Sequence, residues 1–124
     1  MIHVIDPFSQ PAPFWLGLGE EGYRRKVFKV VGENALDSEF LTAGLTIFEP
    51  GESSSLHNHP ESEEINFIVR GHGEVVTAEG ERIPFAEHTF MFLPKGVMHR
   101  HVNTGREPLW LTFIYGPHGE LPST

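Results

Sequence analysis

Four side chains near the middle of the sequence have the types and the spacing of a metal site. His57, His59 and Glu64 lie in the segment GESSSLHNHPESEEINFIVRG, and His99 lies in PKGVMHRHVN. Imidazole and carboxylate groups are the ligands that divalent first-row metals take in sites of nitrogen and oxygen. A lone His-x-His pair followed by a Glu is more often part of a solvated loop, so the prediction depends on the elements that position these residues.

The predicted elements around these residues bring them together. Alternate side chains of a strand lie on one face, so we expect His57 and His59 to point the same way. Pro60 and the polar residues after it predict a tight turn. That turn would place Glu64 at the start of the next strand, beside the two imidazoles. His99 is distant in sequence and must come from a third strand that the fold places.

The two segments resemble the two signature motifs of the cupin family. The first motif is matched by Gly51, His57, His59, Glu64 and Gly71, and the second by Pro94, Gly96, His99 and Asn103. Where the family pattern opens the second motif with a glycine, this chain has His88. The resemblance implies an all-β fold, a double-stranded β-helix or jelly-roll barrel with little helix. It assigns no reaction, because one fold hosts many chemistries.

The distribution of glycine and proline along the chain is also typical of a barrel. Its 124 residues include 13 glycines and 10 prolines, which separate short segments with no long helical period. We predict about ten strands, the first of them Ile2–Ile5. We divide the chain into an N-terminal arm at 1–22 that packs on the barrel or on a partner, a barrel at 23–116 and a C-terminal tail at 117–124.

One predicted strand, YRRKVFKVV, carries the basic cluster Arg24–Lys29 in an otherwise acidic chain. The cluster could recognise the carboxylate of a substrate. It could also protect an edge strand from aggregation by charge, which is a common arrangement and the one we favour.

Composition narrows the range of partners. The formal charge of −8 argues against nucleic acid, and no apolar run approaches the length of a membrane span. The chain has no cysteine, and its N-terminus lacks the pattern of a signal peptide, so we expect a cytoplasmic protein. A small barrel with a proline-rich aromatic arm and an exposed edge predicts a homodimer.

The predicted ligand set suggests what the site does. We expect one divalent metal per chain, Fe, Mn, Ni, Co or Zn. Four protein ligands leave two positions of an octahedral ion open, which is a property of catalytic sites. The favoured function is an isomerase, lyase or Fe(II) dioxygenase acting on a small oxygen-bearing substrate, such as an organic acid, a sugar acid or a diketone. The alternative is a non-catalytic module that binds a small acid or sugar.

Strand alternation adds two candidate catalytic residues. His101 lies two positions after His99, and Asn66 lies two positions after Glu64, so both are predicted to face inward. If the alternation fails at the rim of the barrel, His101 meets solvent instead. An apolar wall should surround the metal, and its candidates are Phe48, Phe67, Phe90, Phe92, Trp110 and Phe113. Strand alternation does not tell which of them line the cavity and which fill the core between the sheets.

Overall fold

The computed structural model of the protein describes residues 1–9, 14–17 and 23–117. Within these ranges the chain forms nine strands and one short 3-10 helix at Pro7–Ser9. The strands are β1 Phe14–Leu16, β2 Arg25–Val31, β3 Thr42–Phe48, β4 Glu63–Arg70, β5 Gly73–Thr77, β6 Arg82–Phe85, β7 Phe90–Leu93, β8 His99–Val102 and β9 Leu109–Gly116. The predicted all-β class with little helix is confirmed.

The strands form two antiparallel sheets, in the orders β1-β2-β3-β9-β4-β7 and β6-β5-β8. The chain crosses between the sheets, as it does in a jelly roll. Phe48, Ile68, Leu109 and Leu111 of the larger sheet form a buried cluster, and Phe85 of the smaller sheet packs against it. Burial of each such side chain stabilises the fold by roughly 1.5–3 kcal/mol. The core therefore joins the two sheets and fixes the strands that carry the site.

The glycines of the two sequence motifs occupy turns that require a left-handed backbone. Gly51, Gly71 and Gly96 have φ values of 84°, 90° and 78°. Glycine adopts this conformation without a steric penalty because it has no Cβ. His88, which stands where the family pattern has a glycine, is also left-handed with a φ of 65°. Its ring stacks on that of Phe67, so the substitution keeps the turn and gains a contact.

Part of the N-terminal segment packs on the chain's own barrel. β1 pairs with β2, and the ring centroid of Phe8 lies 5.1 Å from that of Phe28 and 5.6 Å from that of Trp110. The predicted strand at Ile2–Ile5 is wrong, because these residues have no regular structure. The prediction that β2 is an edge strand is also wrong, because β1 covers its first three residues. Residues 118–124 of the predicted tail lie outside the described ranges.

The segment that carries the His-x-His pair is not a regular strand. The amide of Ser54 donates to the carbonyl of His101, and the amide of His57 donates to that of His99. The three-residue step from Ser54 to His57 thus pairs with the two-residue step from His101 to His99 on β8. The extra residue interrupts the ladder of backbone hydrogen bonds, as a β-bulge does. The prediction that His57 and His59 lie on a regular strand is therefore wrong, although the segment still runs antiparallel to β8 at His57.

Candidate metal centre

Three imidazoles and one carboxylate converge at one end of the barrel. Each of His57, His59 and His99 offers a ring nitrogen, and these nitrogens all lie within 4.8 Å of one another. Glu64 Oε1 lies 3.1 Å from His59 Nε2 and 3.4 Å from His99 Nε2. The structure therefore brings together the four residues that the two motifs supply, from the segment after β3, from β4 and from β8.

Backbone carbonyls fix the orientation of two of the imidazoles. The Nδ1–H of His57 donates to the carbonyl of Ser55 at 2.8 Å, and the Nδ1–H of His99 donates to the carbonyl of Val97 at 2.9 Å. A ring that uses Nδ1 as its donor has the lone pair on Nε2. Metal-ligating histidines characteristically have such a partner on the other nitrogen. Both rings are thus held in the tautomer that a metal requires.

Several atoms at the centre of the cluster are buried without a hydrogen-bond partner. Among the described residues, His59 Nε2, His99 Nε2 and Glu64 Oε1 are in this state. The short distances between them lack hydrogen-bond geometry, so they are close approaches rather than bonds. Buried polar groups are nearly always paired, and an unpaired group calls for an explanation such as an ion. Two imidazole nitrogens and a carboxylate oxygen facing one point fit a divalent metal ion.

The second oxygen of Glu64 is held from behind. Asn66 Nδ2 donates to Glu64 Oε2 at 2.8 Å and to the carbonyl of Thr112 at 2.9 Å. The Oδ1 of Asn66 lies 2.9 Å from His101 Nε2, which must therefore carry the proton. Asn66 and His101 are both buried. The network leaves Glu64 Oε1 facing the imidazoles, and the catalytic assignment of Asn66 and His101 stays a prediction.

The electrostatics of the cluster favour the protonation states that bind a metal. Burial, reinforced by His99, lowers the pKa of His57 to about 4, and the same two causes lower the pKa of His101 to about 3. Burial opposes ionisation of Glu64, but the imidazoles of His59 and His99 outweigh it and hold the pKa of that carboxyl well below its usual range. His57 and His101 are thus neutral and Glu64 is ionised at neutral pH, as metal binding requires.

A cavity opens beside the cluster. His57, Glu64 and His101 line it together with Arg25 of β2 and Tyr115 of β9. Tyr115 is the cross-strand neighbour of Glu64, and its ring centroid lies 4.1 Å from that of His59. Burial raises the pKa of Tyr115, so its hydroxyl is protonated and can donate a hydrogen bond.

Sequence reasoning missed Tyr115 altogether and placed Arg25 only within a charged strand. Arg25 lies on β2 and Tyr115 on β9, and β3 lies between these two strands in the larger sheet. Both side chains therefore reach the cavity only through pairing of strands that are distant in sequence. No short motif marks either residue. For Arg25 one signal was available in the sequence. Strand alternation places Arg25 on the same face as Val27, an apolar residue that also lines the cavity.

Only part of the predicted apolar wall lies at the cavity. Phe48 and Phe113 line it. The remaining four candidates lie outside the described lining: Phe67, Phe90, Phe92 and Trp110. Phe90 and Phe92 are 71% and 56% exposed on the outer face of β7, whereas Trp110 packs against the cluster that contains Phe28. The period-two pattern of β7 separates Phe90 and Phe92 from Met91 and Leu93, but nothing in it indicates which face is the interior.

The chain is similar to known proteins in sequence and in fold. A family model described as a cupin domain matches residues 44–115. The chain is 38% identical over 80 residues to polyketide synthase CurC of Streptomyces cyaneus, covering 64% of this chain and 51% of that protein. It is 33% identical over 78 residues to a gentisate 1,2-dioxygenase of a Ralstonia species, covering 62% of this chain and 22% of that one.

A solved structure shows the same fold. A predicted oxalate decarboxylase of Thermotoga maritima matches with a TM-score of 0.76 at 20% identity, over 94% of this chain and 100% of the other. At that identity the likeness concerns the fold alone. The chain spans about half the length of CurC and about a fifth of the dioxygenase. No helix among the described residues is long and apolar enough to cross a membrane.

Proposed function

The chain belongs to the cupin domain family, and on that premise we propose that it is an enzyme that uses one divalent metal ion. His57, His59, Glu64 and His99 hold the ion, which is Fe, Mn, Ni, Co or Zn. The substrate is a small organic acid, sugar acid or diketone that binds the ion through two oxygens. The reaction is an isomerisation or a lyase reaction, or a dioxygenation if the ion is Fe(II).

One observation carries this proposal, the convergence of three buried atoms that lack hydrogen-bond partners. Leaving such an atom unsatisfied costs about 1–3 kcal/mol. A fold that keeps His59 Nε2, His99 Nε2 and Glu64 Oε1 facing one point supports an ion at that point. When bound, a divalent ion polarises substrate oxygens and stabilises the negative charge that develops on them.

The remaining residues of the site orient the ligands and shape the cavity. Asn66 holds the carboxylate of Glu64 through Oε2 and is held in turn by His101. His101 also lines the cavity, from where it contacts the substrate. Its low pKa means that it stays neutral at physiological pH, so it acts as a hydrogen-bonding group rather than as a general acid. Phe48 and Phe113 keep water from the reacting group.

Binding of a small bidentate acid tests whether the ion has open positions. We expect oxalate to change the visible spectrum of the protein loaded with Co(II), and to leave that of a Co(II)-treated His57→Ala variant unchanged. A metal-loaded protein whose spectrum responds to no small acid would contradict the proposal. Ligands that bind but emerge unchanged from every substrate screen would favour the alternative, a non-catalytic module for a small acid or sugar.

We also propose that the protein is a cytoplasmic homodimer. The absence of cysteine from the sequence is in keeping with a reducing compartment. Support for the dimer comes from β7, the outermost strand of the larger sheet among the described residues. Its outer face exposes Phe90 and Phe92, and Ile65 lies opposite Phe92 on β4 and is 37% exposed. An apolar face at a free sheet edge favours association with a second copy.

A further inference from the structure

The imidazole of His59 is oriented differently from those of the other two candidate histidine ligands. His57 and His99 each donate from Nδ1 to a backbone carbonyl, whereas the ring of His59 has no such partner in the part of the chain that the structure describes. The carbonyl of His59 accepts hydrogen bonds from the amides of Ser62 and Gly96. These bonds fix the backbone but do not set the plane of the ring, which must be held by packing.

The ring of Tyr115 is the surface on which His59 packs. The two ring centroids are 4.1 Å apart and the ring planes are inclined by 35°, so the contact is closer to face-to-face than to edge-to-face. The imidazoles of His57 and His99 lie farther from that of His59, at 5.2 Å and 5.6 Å between centroids. The χ2 torsion of a histidine has only broad minima, so a packed neighbour decides the plane of its ring.

Tyr115 is itself held in one position. It lies on β9, which runs between β3 and β4 in the larger sheet, and it is the cross-strand neighbour of Glu64. Its side chain is buried in a cluster with Val27 and Phe113. His59, in contrast, lies in an irregular segment between strands. A rigid residue beside one candidate ligand thus contacts the ring of another that no strand supports.

We propose that Tyr115 is a positioning residue of the metal centre, whose ring holds the imidazole of His59 in the plane from which Nε2 faces Glu64 Oε1. Its hydroxyl is not required for this role. A metal-bound imidazole carries part of the charge of the ion, and a positive group is attracted to the face of a phenol ring. The inference rests on the proposed function and deepens it, because it assigns the residue that orients the third imidazole.

Substitutions at Tyr115 test this role through metal affinity, measured by competition with a chromophoric chelator. Tyr115→Phe keeps the ring and should keep the wild-type affinity. Tyr115→Leu and Tyr115→Met fill part of the same volume without a ring. Each should lower the affinity about tenfold or more, as is typical when a residue that orients a ligand is lost.

Phe113→Leu is the matched control for the loss of an aromatic ring. Phe113 belongs to the same buried cluster and lines the same cavity as Tyr115. Its ring contacts that of Tyr115, but among the described residues it makes no ring contact with a candidate ligand. The variant should therefore lose stability in urea unfolding and keep the wild-type metal affinity.

The wild-type protein offers a test that requires no variant to fold. A ring stacked on the imidazole of His59 should shift the carbon-bound protons of that imidazole upfield in NMR spectra. We expect the upfield shift to persist when the diamagnetic ion Zn(II) is bound. Loss of the shift on binding of Zn(II) would mean that His59 leaves Tyr115 to reach the ion, and it would overturn the proposal.

The affinities separate failure of this inference from failure of the proposed function. A wild-type protein that takes up no metal would refute the proposed function and the role of Tyr115 with it. A wild-type protein that binds metal, together with Tyr115→Leu and Tyr115→Met variants of equal affinity, would refute the role of Tyr115 alone. An equal loss in Tyr115→Phe would assign the effect to the hydroxyl, and an equal loss in Phe113→Leu would assign it to the core. Either result would overturn the proposal.

Discussion

Asn66 donates a hydrogen bond from Nδ2 to Glu64 Oε2 at 2.8 Å, and this bond leaves Oε1 to face the imidazoles of His59 and His99. The two oxygens of one buried carboxylate thus have separate tasks. One is held by the protein, and the other lies where a metal ligand is needed. Asn66 is fully buried, so water cannot replace it without a rearrangement.

Removal of this hydrogen bond should weaken metal binding without removing a ligand. We expect Asn66→Ala to lower metal affinity about 10- to 100-fold, the range typical of residues that orient a ligand. Competition with a chromophoric chelator measures the affinity. Asn34→Gly, in an exposed turn, is the matched control and should leave the affinity unchanged. An Asn66→Ala protein with wild-type affinity would show that Glu64 needs no support.

The metal-free protein should lose stability as the pH falls from about 6.5 to 4.5. The folded-state pKa values of His57 and His101 are lowered to about 4 and about 3, so the unfolded chain binds protons that the folded chain does not. Each histidine then reduces the free energy of unfolding by up to about 1.4 kcal/mol per pH unit in this range. Urea unfolding at several pH values measures the slope. A slope that is unchanged in a His101→Phe variant would contradict the assignment for His101.

Two glycines with similar backbones should respond differently to a methyl group. Gly71 and Gly80 have φ values of 90° and 85°. A Cβ on Gly71 would lie 2.9 Å from the carbonyl oxygen of Pro108, whereas a Cβ on Gly80 would meet nothing within 4 Å. Gly80→Ala should cost about 1–2 kcal/mol from the left-handed backbone alone, and Gly71→Ala should cost more. Equal losses in urea unfolding would mean that the approach of Pro108 does not constrain this turn.

Charges on the outer face of β7 should dissociate the proposed dimer. We expect Phe90→Glu combined with Phe92→Glu to give a monomer by light scattering at micromolar protein, because like charges would meet across a symmetric contact. Ile83→Glu, at an exposed apolar residue of β6 in the other sheet, is the control and should remain dimeric. A wild-type protein that is already a monomer would refute the dimer. A dimer that survives both Glu substitutions would place its interface elsewhere.

Local patterns in the sequence were enough to predict the fold class and the group of four candidate ligands. Motif glycines such as Gly51 and Gly96 mark left-handed turns, and the alternation in β7 separates Phe92 from Leu93. The path from Ser54 to His57 was predicted less well. It depends on an extra residue opposite β8, and such a residue has no signature in a single sequence.

Contacts between distant strands lie beyond this kind of reasoning. Arg25 and Tyr115 share a cavity because β3 lies between their strands in the larger sheet. A charged residue at a short strand is usually exposed, as Arg24 directly before β2 is, so residue type alone did not indicate that Arg25 is buried. The outward position of Phe90 could not be foreseen for the same reason, because alternation defines two faces without stating which one is buried.

The metal content of the purified, untagged protein after reconstitution tests the central claim most directly. We expect elemental analysis to find about one divalent ion per chain in the wild-type protein and in the His3→Ala variant, whose histidine is exposed and distant in sequence from the motifs. His57→Ala and His99→Ala should each lose most of the metal. A wild-type protein without metal, or His57→Ala and His99→Ala variants that retain one ion per chain, would contradict the account.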